Sequence, residues 1–265
     1  MVFQRYVALG DSFTEGVGDH DPTRPNGLRG WADRVAEVLA ARADGAGQDF
    51  GYANLAIRGR KLRAVIAEQV EPAIALQPDL ITMYAGANDI LRPKVDLDEL
   101  LAEYDAAVRR LAATGARVVL FTAFDPGGSG LYRPIRGRFA LYNELLREIA
   151  DETGATIVDF WRIRDHKDWR LWDEDRMHMS ALGHHRVAVE VLDVLGVPHD
   201  LEPTRLDDAP PPAPRLQQLR ENAAWAREYL VPWVHRRVTG RSSGDTVSPR
   251  YPTYGRPGTG ADQPV

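Results

Sequence analysis

The chain contains no cysteine. That excludes a disulfide framework, a thiol nucleophile and a thiolate metal site. Lysine is scarce, at Lys61, Lys94 and Lys167 alone, so arginine supplies most of the positive charge. Acidic residues outnumber basic ones by 38 to 33, and a net charge of -5 argues against the basic surface of a nucleic-acid binder. No apolar run is long enough to span a bilayer. Several signatures are missing as well: there is no Gly-x-Gly-x-x-Gly and no P-loop ending in Gly-Lys-Ser/Thr. Internal repeats are absent. The first strand-like run begins within a few residues of Met1, which leaves no room for a signal peptide ahead of it. A cytoplasmic location is the resulting expectation.

What the 265 residues do contain is an alternation of short apolar runs with helical patterns, the mark of a parallel sheet with crossover helices. Strands are predicted over 5–9, 50–55, 79–84, 117–122 and 156–160. Helices are predicted around Trp31, Val35, Val38 and Leu39, then over 62–75, 97–113 and 138–153. Gly115 and Gly154 are suited to closing the last two. Ser180 is a suitable N-cap for a final helix whose Leu182, Val189 and Leu192 share a face. The expected fold class is therefore α/β: a flavodoxin-like three-layer α/β/α sandwich with a central five-stranded parallel sheet, occupying residues 1–200. Residues 201–265 read as a separate appendage. A proline-rich acidic linker over 202–214 leads to a helical pattern at Leu216, Leu219, Ala223, Ala226, Leu230 and Trp233, which Pro232 should kink or end. From Gly240 onward glycine, proline, serine and threonine predict little fixed structure.

Four short motifs fall at the ends of predicted strands: Gly10-Asp11-Ser12, Gly59 in Asn54-Leu-Ala-Ile-Arg-Gly, Asn88 in Gly86-Ala-Asn-Asp, and His178 in Asp175-Arg-Met-His. Open α/β sheets build their sites at the carboxyl ends of strands. A serine hydroxyl needs an adjacent base to act as a nucleophile, and an imidazole can take its proton and return it to a leaving group. The imidazole in turn must be held in one tautomer, and Asp175, three residues before His178, can do so from the same loop. Each piece also has a structural reading. Asp11 can bond a strand-ending turn, Gly59 can be a loop glycine, Asn88-Asp89 can cap a helix, and His178 can be a satisfied structural histidine.

Serine, glycine, asparagine and histidine in this order resemble the SGNH hydrolase superfamily, the GDSL-type esterases and lipases. The likeness runs from about Tyr6 to Leu195. It implies the strand order 2-1-3-4-5 and a catalytic triad of Ser12, His178 and Asp175. It also implies an oxyanion hole formed by the backbone N–H groups of Ser12 and Gly59 and the Asn88 amide. No cofactor or metal is expected. The function this implies is cleavage of a carboxylic ester, or of another small acylated substrate, through an acyl-serine intermediate. Acyl transfer to a sugar or other alcohol is the closest alternative, and a flavodoxin-like phosphate-binding module the non-enzymatic one.

Other residues carry secondary readings. Trp172 is a candidate for the substrate pocket, with core packing the alternative for Trp161, Trp169 and Trp172. His184 and His185 read as helix-face residues. The glycine- and proline-rich stretch 125–135 is either a flap or a surface loop. The C-terminal stripe must be buried to hold a helix. Packing on its own domain is expected first and a homodimer through this helix second. Aromatic residues beside Arg236 and Arg237 keep a membrane surface as a further option, without a membrane span.

Overall fold

A computed structural model describes residues 2–127, 133–202, 206 and 214–258. Among the described residues, six strands form one sheet: β1 (Arg5–Gly10), β2 (Gly51–Asn54), β3 (Leu80–Tyr84), β4 (Arg117–Phe121), β5 (Thr156–Val158) and β6 (Tyr251–Gly255). Their order is β5-β4-β3-β1-β2-β6. The first five are parallel, in the predicted 2-1-3-4-5 arrangement. The sixth corrects both the strand count and the reading of the C-terminal tail. β6 lies antiparallel against β2, pairing Tyr52 with Gly255 and Asn54 with Tyr251. Tyr251 is buried there despite a composition that suggested no fixed structure. Pro252 is tolerated because an edge strand can spare an N–H.

Helices cover both faces of the sheet. α1 (Trp31–Gly45) and α5 (Ala181–Leu195) pack on the side of Tyr6, Ala8, Leu80, Val119 and Phe121. On the other side, α2 (residues 62–75), α3 (Leu97–Ala112) and α4 (Arg136–Thr153) cover Val7, Leu9, Ile81, Met83, Val118 and Leu120. Alternate residues of each strand thus enter opposite cores, as the two-residue side-chain period requires. Each fully buried aliphatic side chain contributes about 1.5–3 kcal/mol. Left-handed glycines at Gly154 and Gly196 close α4 and α5. Ser180 does cap α5 through Gly183 N–H, and the expected Val189 and Leu192 are buried with Val187, Ala188 and Val191, but Leu182 faces outward.

The appendage holds one long helix, α6 (residues 215–238), which continues through Pro232 instead of ending there. A π-turn at Ala226–Leu230 precedes the proline. The same device appears in α2, where a π-turn at Ile66–Val70 precedes Pro72. Widening the turn ahead of a proline relieves the clash of its ring with the preceding carbonyl. No helix among the described residues is long and apolar enough to cross a membrane.

Candidate active site

The strand end before Ser12 is tightly specified. Gly10 has φ +150°, and a Cβ there would overlap the Tyr84 carbonyl oxygen and Thr14 Oγ1. The buried Gln69 side chain grips its peptide twice, accepting from Gly10 N–H at 2.8 Å and donating to Gly10 O at 2.9 Å. Asp11 then caps a one-turn helix, Ser12–Glu15, its Oδ1 accepting from Phe13 N–H at 3.1 Å. Phe13 anchors that turn, its ring 4.6 Å from Tyr84 and 5.4 Å from Phe160 between centroids. Ser12 is left half-buried at the cavity mouth.

The turn 173–178 carries His178 and Asp175. His178 Nδ1 donates to Asp175 Oδ2 at 2.5 Å, while Asp175 Oδ1 accepts from the N–H groups of Met177 and His178 at 2.8 and 2.9 Å. Burial alone would raise the Asp175 carboxyl pKa, but these bonds outweigh it and hold the group below the ordinary carboxylate range. With the Nδ1 proton committed to an ionised Asp175, Nε2 is the free lone pair of His178. No hydrogen bond joins Ser12 Oγ to His178 among the described residues. Catalytic hydrogen bonds commonly tighten only around substrate.

Gly59 sits in a left-handed turn at φ +74°. Behind it, the fully buried Glu15 accepts from Arg58 N–H at 2.6 Å and pairs with the Arg58 guanidinium. Among the described residues, neither Ser12 N–H nor Gly59 N–H donates to any group of the protein. Both are unspent donors. Asn88 follows β3 in a one-turn helix, Ala87–Ile90. Its Nδ2 donates to Asp11 Oδ2 at 3.1 Å and to Arg60 O at 3.0 Å, so serving an oxyanion requires exchanging one of these partners. Asp89 does cap a helix, but a distant one: its Oδ2 accepts from Leu62 N–H at 2.9 Å, at the start of α2.

Ser12, Gly59, Asn88, Asp175 and His178 all line a single cavity of about 1850 Å³. Trp172 lines it too, half-buried, with its indole N–H donating to His166 O at 2.5 Å and its ring 5.3 Å from Phe124. Trp169 is largely exposed at the rim, and Trp161 packs beneath Arg136 instead. Of the stretch 125–135, Asp125 to Gly127 reach the cavity and residues 128–132 lie outside the described residues. His184 is on α5, as expected, and is fully buried. His185 bonds Glu202 O. Among the described residues no group of three histidine, aspartate or glutamate side chains is placed to hold a metal.

The opposite cavity wall comes from the appendage: Asn222, Tyr229, Trp233, Arg236 and Ser242 all line it. Of the expected stripe, Leu216 and Leu219 are exposed, at 62% and 58%, whereas Leu230 is half-buried and Trp233 lines the cavity. α6 therefore faces the site with its polar and aromatic side. Sequence reasoning also passed over Glu15, Arg58 and Gln69, which hold the two loops in place. Their sequence neighbours, Thr14 and Gly16 about Glu15 and Glu68 and Val70 about Gln69, give no signal that marks them.

The sequence profile of the GDSL-like Lipase/Acylhydrolase family matches residues 8–186. An acetylxylan esterase of Geobacillus stearothermophilus is 27% identical over 214 residues, covering 73% of this chain and 94% of that protein. Lipase 2 of Streptomyces coelicolor is also 27% identical, over 260 residues, covering 72% of this chain and 86% of that protein. The acetylxylan esterase structure superposes with a TM-score of 0.61 at 25% identity, covering 75% of this chain and 98% of that one. Two further structures of that enzyme are described as catalytic mutants, one with a histidine and one with a serine replaced by alanine.

Proposed function

The chain belongs to the GDSL-like lipase/acylhydrolase family and is a carboxylic ester hydrolase, and from that premise we propose that it works through an acyl-serine intermediate at Ser12. Ser12 Oγ attacks the ester carbonyl carbon while its proton passes to His178 Nε2. Asp175 keeps the other ring proton on Nδ1 and stabilises the imidazolium that forms. The carbonyl oxygen, now an oxyanion, takes hydrogen bonds from Ser12 N–H, Gly59 N–H and Asn88 Nδ2. Each such donor is worth about 2.7–4 kcal/mol. Collapse breaks the ester C–O bond, and the proton on Nε2 leaves with the alcohol. Water then repeats the sequence: His178 takes its proton, the acyl–serine bond breaks, and the carboxylic acid departs with Ser12 restored.

The single observation supporting this reading most strongly is the meeting of Ser12, His178–Asp175 and two unspent backbone amides at one cavity. The serine and histidine variants of the acetylxylan esterase point to the same two residue types. A panel of p-nitrophenyl esters of increasing acyl length tests it. Wild-type chain should hydrolyse members of the panel, and Ser12→Ala and His178→Ala should each lose about 10³-fold or more in kcat while still folding. Near-wild-type hydrolysis by Ser12→Ala would overturn the assignment.

A further inference from the structure

Resting on the Ser12 hydrolase reading, we propose that the C-terminal segment is a working part of the active site, with Trp225 positioning the Asp175–His178 turn and Ser242 positioning the Gly59 loop. The segment lies beyond residue 186, outside the family match. Yet it touches the two loops whose placement the chemistry depends on.

The first clamp is on the acid–base turn. Arg176, between Asp175 and His178, is held at φ +56°, a left-handed conformation that costs a residue with a Cβ energy. Three contacts from α6 hold that turn. Arg176 Nη1 donates to Asn222 Oδ1 at 2.7 Å, its guanidinium lies over the Trp225 ring at 5.2 Å, and Trp225 Nε1 donates to the Asp175 carbonyl at 2.9 Å. A carbonyl and a guanidinium flanking the catalytic pair are thus fixed from one indole.

The second clamp is on the oxyanion loop. Ser242 Oγ donates to Arg58 O at 3.3 Å and occupies the space where a Cβ on Gly59 would stand. Gly244 approaches Arg58 O so closely that a side chain there would overlap it. Arg60, on the far side of Gly59, pairs with Asp245 at 3.3 Å. The loop is therefore gripped on one side by Glu15 and on the other by 242–245. Downstream, β6 and the buried Arg250 tie the segment back to the sheet. A clamp on each loop acts on the rate, since displacing a reacting group by an ångström can cost about 100-fold.

Trp225→Phe keeps the ring and removes the donor, and Ser242→Ala removes the hydroxyl. Both are tested in the full-length chain with an activated acetate ester, alongside the rate of Ser12 labelling by a fluorophosphonate. Each variant should lower kcat about tenfold and leave KM within about twofold, the pattern of a lost transition-state arrangement. Labelling should slow in parallel, with the melting temperature close to wild type. Unchanged kcat and labelling would overturn the proposal, as would a raised KM at constant kcat, which would make the segment a substrate-binding wall only. If Trp225→Phe fails to melt cooperatively, Asn222→Ala at an exposed position carries the same test of the first clamp. Absence of labelling at Ser12 in the wild-type chain would instead count against the hydrolase mechanism itself.

Discussion

Asp11, the residue before Ser12, is buried, and burial pushes its carboxyl pKa up to about 7. Its folded value lies above that of the unfolded chain. The folded state therefore binds its proton more tightly, and this contribution to stability is lost as pH rises from the ordinary aspartate range toward 7. The carboxyl's two oxygens hold Phe13 N–H and the Asn88 amide. Replacing Asn88 by alanine should lower kcat about 10²–10³-fold with a smaller change in KM, because its amide matters most once charge develops on the oxygen. Steady-state kinetics check this, and an unchanged kcat would leave Asn88 a purely structural partner of Asp11 and Arg60. At this scale the residues that meet at the cavity, Ser12, Gly59, Asn88, Asp175 and His178, were legible, since the chemistry sought restricts them to few residue types in short motifs. Glu15, Gln69 and Arg58 were not. They act through backbone groups of loops far away in sequence, and a single glutamate or glutamine does not say which peptide it will hold.

Among the elements, α5 shows how much a helix can carry besides its apolar face. His184 accepts from Trp31 N–H at Nδ1, 3.2 Å, and donates from Nε2 to Val17 O, 3.1 Å, so one neutral tautomer ties α5 to the start of α1 and to the turn after Ser12. Burial drives its pKa down to about 3, below the ordinary histidine value. Protonation would put a second N–H against the Trp31 amide. The sign follows: this stability is fully present above the unfolded histidine pKa and is lost as pH falls from about 6.5 toward 3. His184→Gln should melt lower than wild type at neutral pH but lose less on acidification, and melting curves between pH 7 and 4 check it. Parallel curves would contradict the account. Element types and most boundaries were readable from periodicity and caps, within the usual one or two residues. The continuation of α6 through Pro232 was not, because the π-turn that absorbs the proline leaves no mark in the residue pattern. Leu182 misled for another reason: one apolar residue in the first turn of a helix does not fix which side faces the core.

For the whole molecule, the C-terminal strand changes what the domain is. Arg250 is fully buried, donates to Asp33 Oδ2 at 2.6 Å and to Glu15 O at 2.9 Å, and also bonds the carbonyls of Pro25 and Leu28. Removing one partner of such a pair leaves an uncompensated buried charge, a cost of about 3–5 kcal/mol. Arg250→Ala should lose stability on that scale in denaturant unfolding. Deleting residues 246–265 should destabilise the hydrolase body by also uncovering the edge of β2. A deletion that melts like the full chain would show that β6 is dispensable. The tail's composition hid this, because a strand of five residues with a proline is specified by its partner edge and by a buried arginine more than by its own pattern. The parallel sheet was visible in the sequence since its short apolar runs alternate with helical patterns.

The central claim is that Ser12 is the residue that forms the acyl intermediate, activated by His178. Incubation of the intact chain with a fluorophosphonate, followed by mass mapping of the modified peptide, tests it most directly. One covalent adduct is expected, on Ser12, formed far more slowly in His178→Ala and absent in Ser12→Ala. An adduct on another residue, or labelling of Ser12 at an unchanged rate without His178, would contradict it.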